Sequence, residues 1–267
     1  MSEIYNVSGV NTKKVEKFVF VGSPGVGKTF LAKYCSKVLA SHGKKVALVD
    51  AARNRGLYYS TCTGEEEMET NALMELSKGK NRAIAYGNID IFTNKPSVKD
   101  VPYLDVFTNL QAIQNEYDAI LIDADFESAL EISSFYSKMF LVQDFKRQSA
   151  VLNQQQFLLP LVLKMGEGCI PSAVILYNKA IPCKLKIEQI EPYLMFAEHK
   201  GKHLKLLLDI KPDEVEIPFD QENYLADINN AADGIIELKR LTQDIKKSLY
   251  SVCNIIVGIE NKLKRTF

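Results

Sequence analysis

The sequence predicts one α/β domain, a doubly wound and mostly parallel sheet with helices on both faces. Three observations predict it. Short β-branched and aromatic runs alternate with segments of helical period along most of the 267 residues. Several of those runs, such as Val46-Ala47-Leu48-Val49 and Ala119-Ile120-Leu121-Ile122, are apolar throughout, as in strands buried on both faces. One strand-to-helix junction carries Gly22-Ser23-Pro24-Gly25-Val26-Gly27-Lys28-Thr29, which fits the phosphate-binding pattern G-x-x-x-x-G-K-[ST].

Taken in order, residues 1–16 are polar and weakly patterned and read as an N-terminal arm. Phe18-Val19-Phe20-Val21 reads as the first buried strand. After the glycine loop, Leu31, Tyr34, Val38 and Leu39 recur at helical spacing up to Gly43. A second strand, Val46–Asp50, ends in a carboxylate, and residues 51–62 have no period and read as a loop. Thr63-Gly64-Glu65-Glu66 forms a capping box for a helix to about Lys78. The runs 83–86 and 89–92 read as strands, and Val106, Leu110, Ile113 and Tyr117 as a helix. The strand Ala119–Asp123 is followed by strand 139–142, a helix over about 148–164 containing Pro160, and strand 173–177. A helix near 186–197, a strand within 204–210 and a long helical tract from Gln221 complete the reading. Without a composition break, the domain is placed at 17–248, with an amphipathic basic tail at 249–267.

Lys+Arg and Asp+Glu both total 33, so no global field draws the chain to nucleic acid, and no specific nucleic-acid signal is present. The N-terminus lacks a signal-peptide pattern, and no apolar run approaches a membrane span. Five scattered cysteines without a C-x-x-C pair suit reduced thiols, and the expected location is cytoplasmic. His199 and His203 are four apart, but Gly201 lies between them and no third ligand is evident, so they read as surface histidines.

The glycine loop sets the chemistry. Its backbone N–H groups, at the positive end of a helix, suit phosphate oxygens. Gly22, Ser23, Pro24, Gly25, Val26, Gly27, Lys28, Thr29 and Phe30 are therefore nucleotide-binding candidates. Lys28 is placed to reach the β- and γ-phosphates, and Thr29 to hold Mg²⁺. A strand-terminal carboxylate should complete the metal site, and Asp123, after four apolar residues, is the candidate. Lys28, Asp50 and Asp125 are the candidates for catalysis; Asp125 could hold a metal-bound water or face solvent, and a strand-terminal Asp such as Asp50 has a turn or cap role as its alternative.

The ordered set Gly22–Thr29, Val46–Asp50, residues 117–123, Met139–Val142, residues 174–179 and Glu216-Ile217-Pro218-Phe219-Asp220 resembles the MinD/ParA group of deviant-Walker P-loop ATPases, over residues 17 to 235. The resemblance implies ATP and Mg²⁺ as cofactors, a homodimer and a protein partner or cargo. It also implies adenine contact by Asn178 and a place near the base for Pro218. Two departures stand out. The group's second lysine is replaced by Ser23, and its Asp-x-Asp by Asp50-Ala51-Ala52. Both remove groups that stabilise charge or orient water in the transition state. The expectation is an ATP-binding positioning switch or scaffold with slow or absent hydrolysis, similar to the divergent TadZ/CpaE-like branch. The alternatives are an active partition-type ATPase and a small-molecule kinase or ligase of the same fold. Asn178-Lys179 also suits a guanine motif, but position 181 is Ile where an Asp is needed, which favours ATP over GTP.

Leu238, Leu241, Ile245, Leu249, Val252, Ile256, Ile259 and Leu263 form one apolar stripe ending among basic residues. It fits a helix packed on its own domain, a partner helix, or a peripheral membrane contact through 250–267 at the inner face of the membrane.

Overall fold

The computed structural model describes residues 15–61, 71–97, 101–166, 170–207 and 215–257. Its centre is β1 (Glu16–Val21), hydrogen-bonded on one side to β5 (Ala119–Asp123) and on the other to β6 (Lys138–Gln143). Beyond β5 lie β2 (Val46–Asp50), β4 (Ile89–Phe92) and β3 (Ile84–Tyr86). Beyond β6 lie β7 (Ser172–Ala180) and β10 (Val215–Pro218), giving the order β10-β7-β6-β1-β5-β2-β4-β3. Seven strands run parallel, and β3 alone is antiparallel to its neighbour among the described strands of this sheet.

Alternation along each strand explains the two covered faces. Val19, Val21, Ile120, Ile122, Met139 and Leu141 enter one core layer. Phe18, Phe20, Leu121, Phe140 and Val142 enter the other, with α1 (Lys28–Ser41). The expected fold class is therefore the observed one.

Several elements differ from the sequence reading for physical reasons. Residues 51–62 are not all loop, because Gly56–Thr61 form α2, a helix too short to show a period. The helix before β5, α4 (Tyr103–Ala112), stops five residues short of Tyr117, after α3 (Ala72–Ser77) has already packed. Tyr117 is instead extended and donates its hydroxyl to Asp90. After α5 (Phe126–Glu131) comes the tract around Pro160, which is not one α-helix. It divides into α6 (Arg147–Asn153), a π-helical turn (Gln154–Leu158) and α7 (Leu159–Met165). Proline has no N–H and clashes with the carbonyl four residues earlier, which the wider turn accommodates.

The helix expected near 186–197 is reduced to α8 (Glu191–Met195). It is followed by a hairpin of β8 (Phe196–His199) and β9 (Lys202–Lys205), turning on Lys200 and Gly201, both at positive φ. His199 and His203 lie on opposite strands of this hairpin and not on a helix. The capping box at 63–66 lies outside the described residues, as do most of the arm at 1–16 and residues 208–210 of the expected strand.

The tract from Gln221 is two helices, α9 (Gln221–Ala232) and α10 (Gln243–Val257), separated by Gly234 at positive φ and a 3₁₀ turn. Helix α10 packs on α1 and β10 and buries Ile245, Leu249, Val252, Cys253 and Ile256. It runs unbroken across position 248, so the domain continues to Val257. Within 250–257, Tyr250, Val252, Cys253 and Ile256 are buried in the core, and 258–267 lie outside the described residues. Each large side chain buried here contributes about 1.5–3 kcal/mol, and whole domains retain only about 5–15 kcal/mol of stability. A chain ending at Thr242 is expected to lose its cooperative thermal transition in circular dichroism. A sharp transition in that truncated chain would show α10 to be dispensable.

Candidate nucleotide site

The glycine loop leaves β1 at Val21 and enters α1 at Lys28. Gly25 and Gly27 sit at φ +79 and +96, where a side chain is strained. Gly22 is confined in another way, since a Cβ there would lie 2.3 Å from the Val142 carbonyl oxygen of β6. Lys28 donates to the Gly22 carbonyl (3.0 Å) and the Ser23 carbonyl (3.2 Å). Burial lowers its pKa, while Asp123 and Asp125 pull it back up.

Asp123 ends β5 beside the loop and accepts the Thr29 hydroxyl at 2.5 Å. Its other oxygen, Oδ1, is buried without a hydrogen-bond partner. Burial pushes the Asp123 carboxyl up to about 6, against the pull of Thr29 and Lys28. An orphaned carboxylate oxygen beside a threonine hydroxyl is a hard-oxygen set that fits Mg²⁺. Thr29 and Asp123 are the residues that would hold it.

Asp50 lies beside Asp123 in register on β2 and is fully buried. Its Oδ2 accepts from Leu57 N (3.1 Å) and Thr93 Oγ1 (2.8 Å), and its Oδ1 has no partner. Burial, and next the Asp123 charge, push it up to about 7. The ordinary carboxylate value is about 3.9, so the folded chain keeps a proton that the unfolded chain has released. Stability from this group is therefore full below about pH 4 and is lost as pH rises through about 7. Asp50→Asn keeps an acceptor for both donors without the buried charge. Its melting temperature is expected to gain several degrees on that of the native chain between pH 5 and pH 8. A pH-independent difference would contradict the raised value.

Asp125 faces the phosphate side of the loop, but each of its oxygens already accepts a hydrogen bond. Its Oδ1 caps α5 by accepting from Ser128 N (2.9 Å) and Ser128 Oγ (2.8 Å), and its Oδ2 accepts from Arg53 N (2.9 Å).

Two cavities meet at the loop. The first, about 500 Å³, is lined by Pro24, Gly25, Gly27, Lys28, Thr29, Phe30, Asp123, Asp125 and Asp227, together with Ala52, Arg53 and Asn54. The second, about 170 Å³, is lined by Gly27, Phe30, Asn178, Lys179, Pro218 and Phe219 among others. Gly22, Ser23 and Val26 form the buried underside of the loop. Asn178 donates to the Val26 carbonyl (2.7 Å), and Lys179, at φ 59, donates to the Gly25 carbonyl (2.6 Å). The end of β7 is thereby tied to the tip of the loop. Every sequence-predicted binding residue is thus in the loop, under it or, as with Pro218, in the lining of the second cavity. Asp50 lies behind it, outside both cavity linings.

Four further residues escape sequence reading. Lys179 fastens the loop. Arg53 lines the phosphate-side cavity and pairs with Glu127. Arg55, buried at φ 51, donates to the Asp50 and Ala52 carbonyls and to Tyr103 Oη, fixing the chain between β2 and α2. Lys33 is buried and paired with Asp227. In sequence the two arginines sit in a polar run that reads as solvated loop, and the Lys33 partner is 194 positions away.

Strand, glycine loop, helix and the aspartate of β5 together define a P-loop NTPase fold. The same fold is seen in solved ParA and MinD ATPases. A ParA family ATPase from Chlorobium tepidum superposes with a TM-score of 0.68 at 17% identity, over 90% of this chain and 99% of that one. MinD of Aquifex aeolicus, in its MinC:MinD complex, gives 0.66 at 18% identity, over 94% and 99%. MinD of Pyrococcus horikoshii with Mg-ADP gives 0.62 at 16% identity, over 94% and 100%. The sequence matches no family model and no curated protein.

Proposed function

We propose that the chain binds Mg·ATP and acts as a nucleotide-controlled positioning switch or scaffold, with slow or absent hydrolysis. One observation carries this reading: the binding half of the site is assembled and the hydrolytic half is not. Lys28 and the loop amides face one cavity with the Thr29–Asp123 pair. Of the described carboxylates around it, Asp125 is engaged as a cap, Asp227 is paired with Lys33, and Asp50 lies behind the lining. Position 52, where the resemblance expects a second aspartate, is Ala52. Ser23, at the position of the group's second lysine, is buried and carries no charge.

The ligand class is supported by the Mg-ADP complex of the Pyrococcus horikoshii MinD and by the ATP complex of a Cyanothece McdA variant. In the site, Lys28 and the loop N–H groups hold phosphate oxygens. Bound Mg²⁺, held by Thr29 and Asp123, would neutralise phosphate charge. Asn178 and Pro218 border the base. Tyr59 of α2 and Tyr224, Leu225 and Ile228 of α9 are exposed on two helices that pack together, a surface suited to a second copy or a protein cargo. Among the described residues no helix is long and apolar enough to cross a membrane. The altered loop is what the TadZ/CpaE-like branch would share, and that narrower placement belongs to the same proposal.

One observation favours a second reading, a working partition-type ATPase: Arg53 supplies a cation at the phosphate cavity where the lysine is missing. Single-turnover hydrolysis of labelled Mg·ATP, with protein in excess, separates the two. Bound but intact ATP is the expected result. A Lys28-dependent burst of ADP would overturn the scaffold reading.

A further inference from the structure

We propose that Asp227 is the sugar-recognition residue of this site and makes it selective for ribonucleotides over deoxyribonucleotides. This rests on the nucleotide-binding reading above. The phosphate-side and base-side cavities share three lining residues, Gly27, Phe30 and Asp227. A nucleotide with phosphates in one cavity and base in the other must carry its sugar past those three. Glycine has no side chain and phenylalanine offers an apolar face. Asp227 alone of the three presents acceptor oxygens, and a ribose presents hydroxyl donors.

The carboxylate is held for such a role. Asp227 lies on α9 and keeps 31% of its side chain exposed. Its Oδ1 is 2.6 Å from Lys33 Nζ on α1, and the Lys33 side chain is 1% exposed. The Lys33 ammonium also lies 4.9 Å from the Tyr34 ring centroid. A buried lysine is costly unless paired. The pair therefore fixes Asp227 where the cavities join. The lysine also offsets the repulsion that a lone carboxylate would exert on phosphates. Lys33 engages Oδ1 and the Tyr34 hydroxyl also bonds the carboxylate, whose four lone-pair sites still leave room for a sugar hydroxyl.

A bridge that merely fastened α9 to α1 would be indifferent to the sugar, so discrimination between sugars is the readout. Equilibrium binding of ATP, 2′-deoxyATP and 3′-deoxyATP with Mg²⁺ is measured for the full native chain, Lys28→Ala, Asp227→Ala and the double variant Lys33→Met/Asp227→Leu. The double variant removes both charges and keeps the test valid if Asp227→Ala fails to fold. A site built to bond a hydroxyl rejects the analogue lacking it. The native chain is expected to bind ATP about 10-fold more tightly than at least one deoxy analogue. In the folded Asp227 variants that ratio is expected to fall below about 2-fold, through weaker ATP binding with the deoxy affinities little changed. Equal affinities in the native chain would overturn the assignment, and so would a ratio that survives in the variants. If the native chain binds none of the three nucleotides, or binds them as Lys28→Ala does, the nucleotide-binding reading itself fails.

Discussion

Lys28→Ala is expected to lower the affinity for Mg·ATP by about 100-fold or more while leaving the fold intact. Lys28 already points its ammonium back across the loop, onto the Gly22 and Ser23 carbonyls, where phosphate oxygens would lie within reach. Hydrogen bonds to a charged partner are the strong ones, and truncating one member of such a pair typically costs about 2–5 kcal/mol. At about 1.4 kcal/mol per decade, the middle of that range is a loss of more than 100-fold. The two bonds lost in the unliganded chain are modest, and burial already works against the charge. The melting temperature should therefore move little. Titration with labelled nucleotide checks the first part and a thermal melt the second. Unchanged affinity would mean that phosphates do not sit in this loop.

Gly22→Ala should do the reverse, damaging the fold before the ligand is considered. Its added methyl would lie 2.3 Å from the Val142 carbonyl oxygen and 3.2 Å from Val26 Cγ2. Val142 belongs to β6, which pairs with β1, so neither backbone can step aside without breaking ladder bonds. Overpacking of this kind costs about 1–3 kcal/mol, and backbone contact places it near the upper end. For a domain of this size, that is a fall of roughly 6–12 °C in melting temperature. Gly25→Ala is the control, because its Cβ would meet open space and only the positive φ is strained. It should cost about 1–2 kcal/mol. A melting temperature for Gly22→Ala equal to that of the native chain would show that the crowding there is relieved at no cost.

The parts of the site legible in the sequence were those written locally. Gly22–Thr29 and the apolar run ending at Asp123 each announce their role within eight residues. So do the strands of the central sheet, because burial on both faces leaves an unbroken apolar signature. What escaped depends on distance or brevity. Helix α2 has six residues, less than two turns, and offers no period to read. Lys33 looks like one more solvated lysine until α9 brings Asp227 to it. Asp125 was ambiguous by nature: the same residue at the same place can cap a helix or face a metal, and only its three bonds decide the matter. The C-terminal stripe was read with its period right, but periodicity alone does not say what covers the apolar face. The structure covers α10 with α1 and β10.

The position of each half of the site in the sheet bears on how a bound molecule would depart. The phosphate loop grows from β1, which has hydrogen-bonded neighbours on both sides. Pro218 lies at the end of β10, an outermost strand whose register slips at that residue and whose proline gives no ladder bond. Native proteins open locally at such rims far more often than at their centres. Amide hydrogens of β1 should thus exchange among the slowest in the molecule, and those of β10 much sooner. Escape of a nucleotide would then be a peeling motion that starts at the base and ends at the phosphates, its residence time set by the firm end and its first step by the loose one.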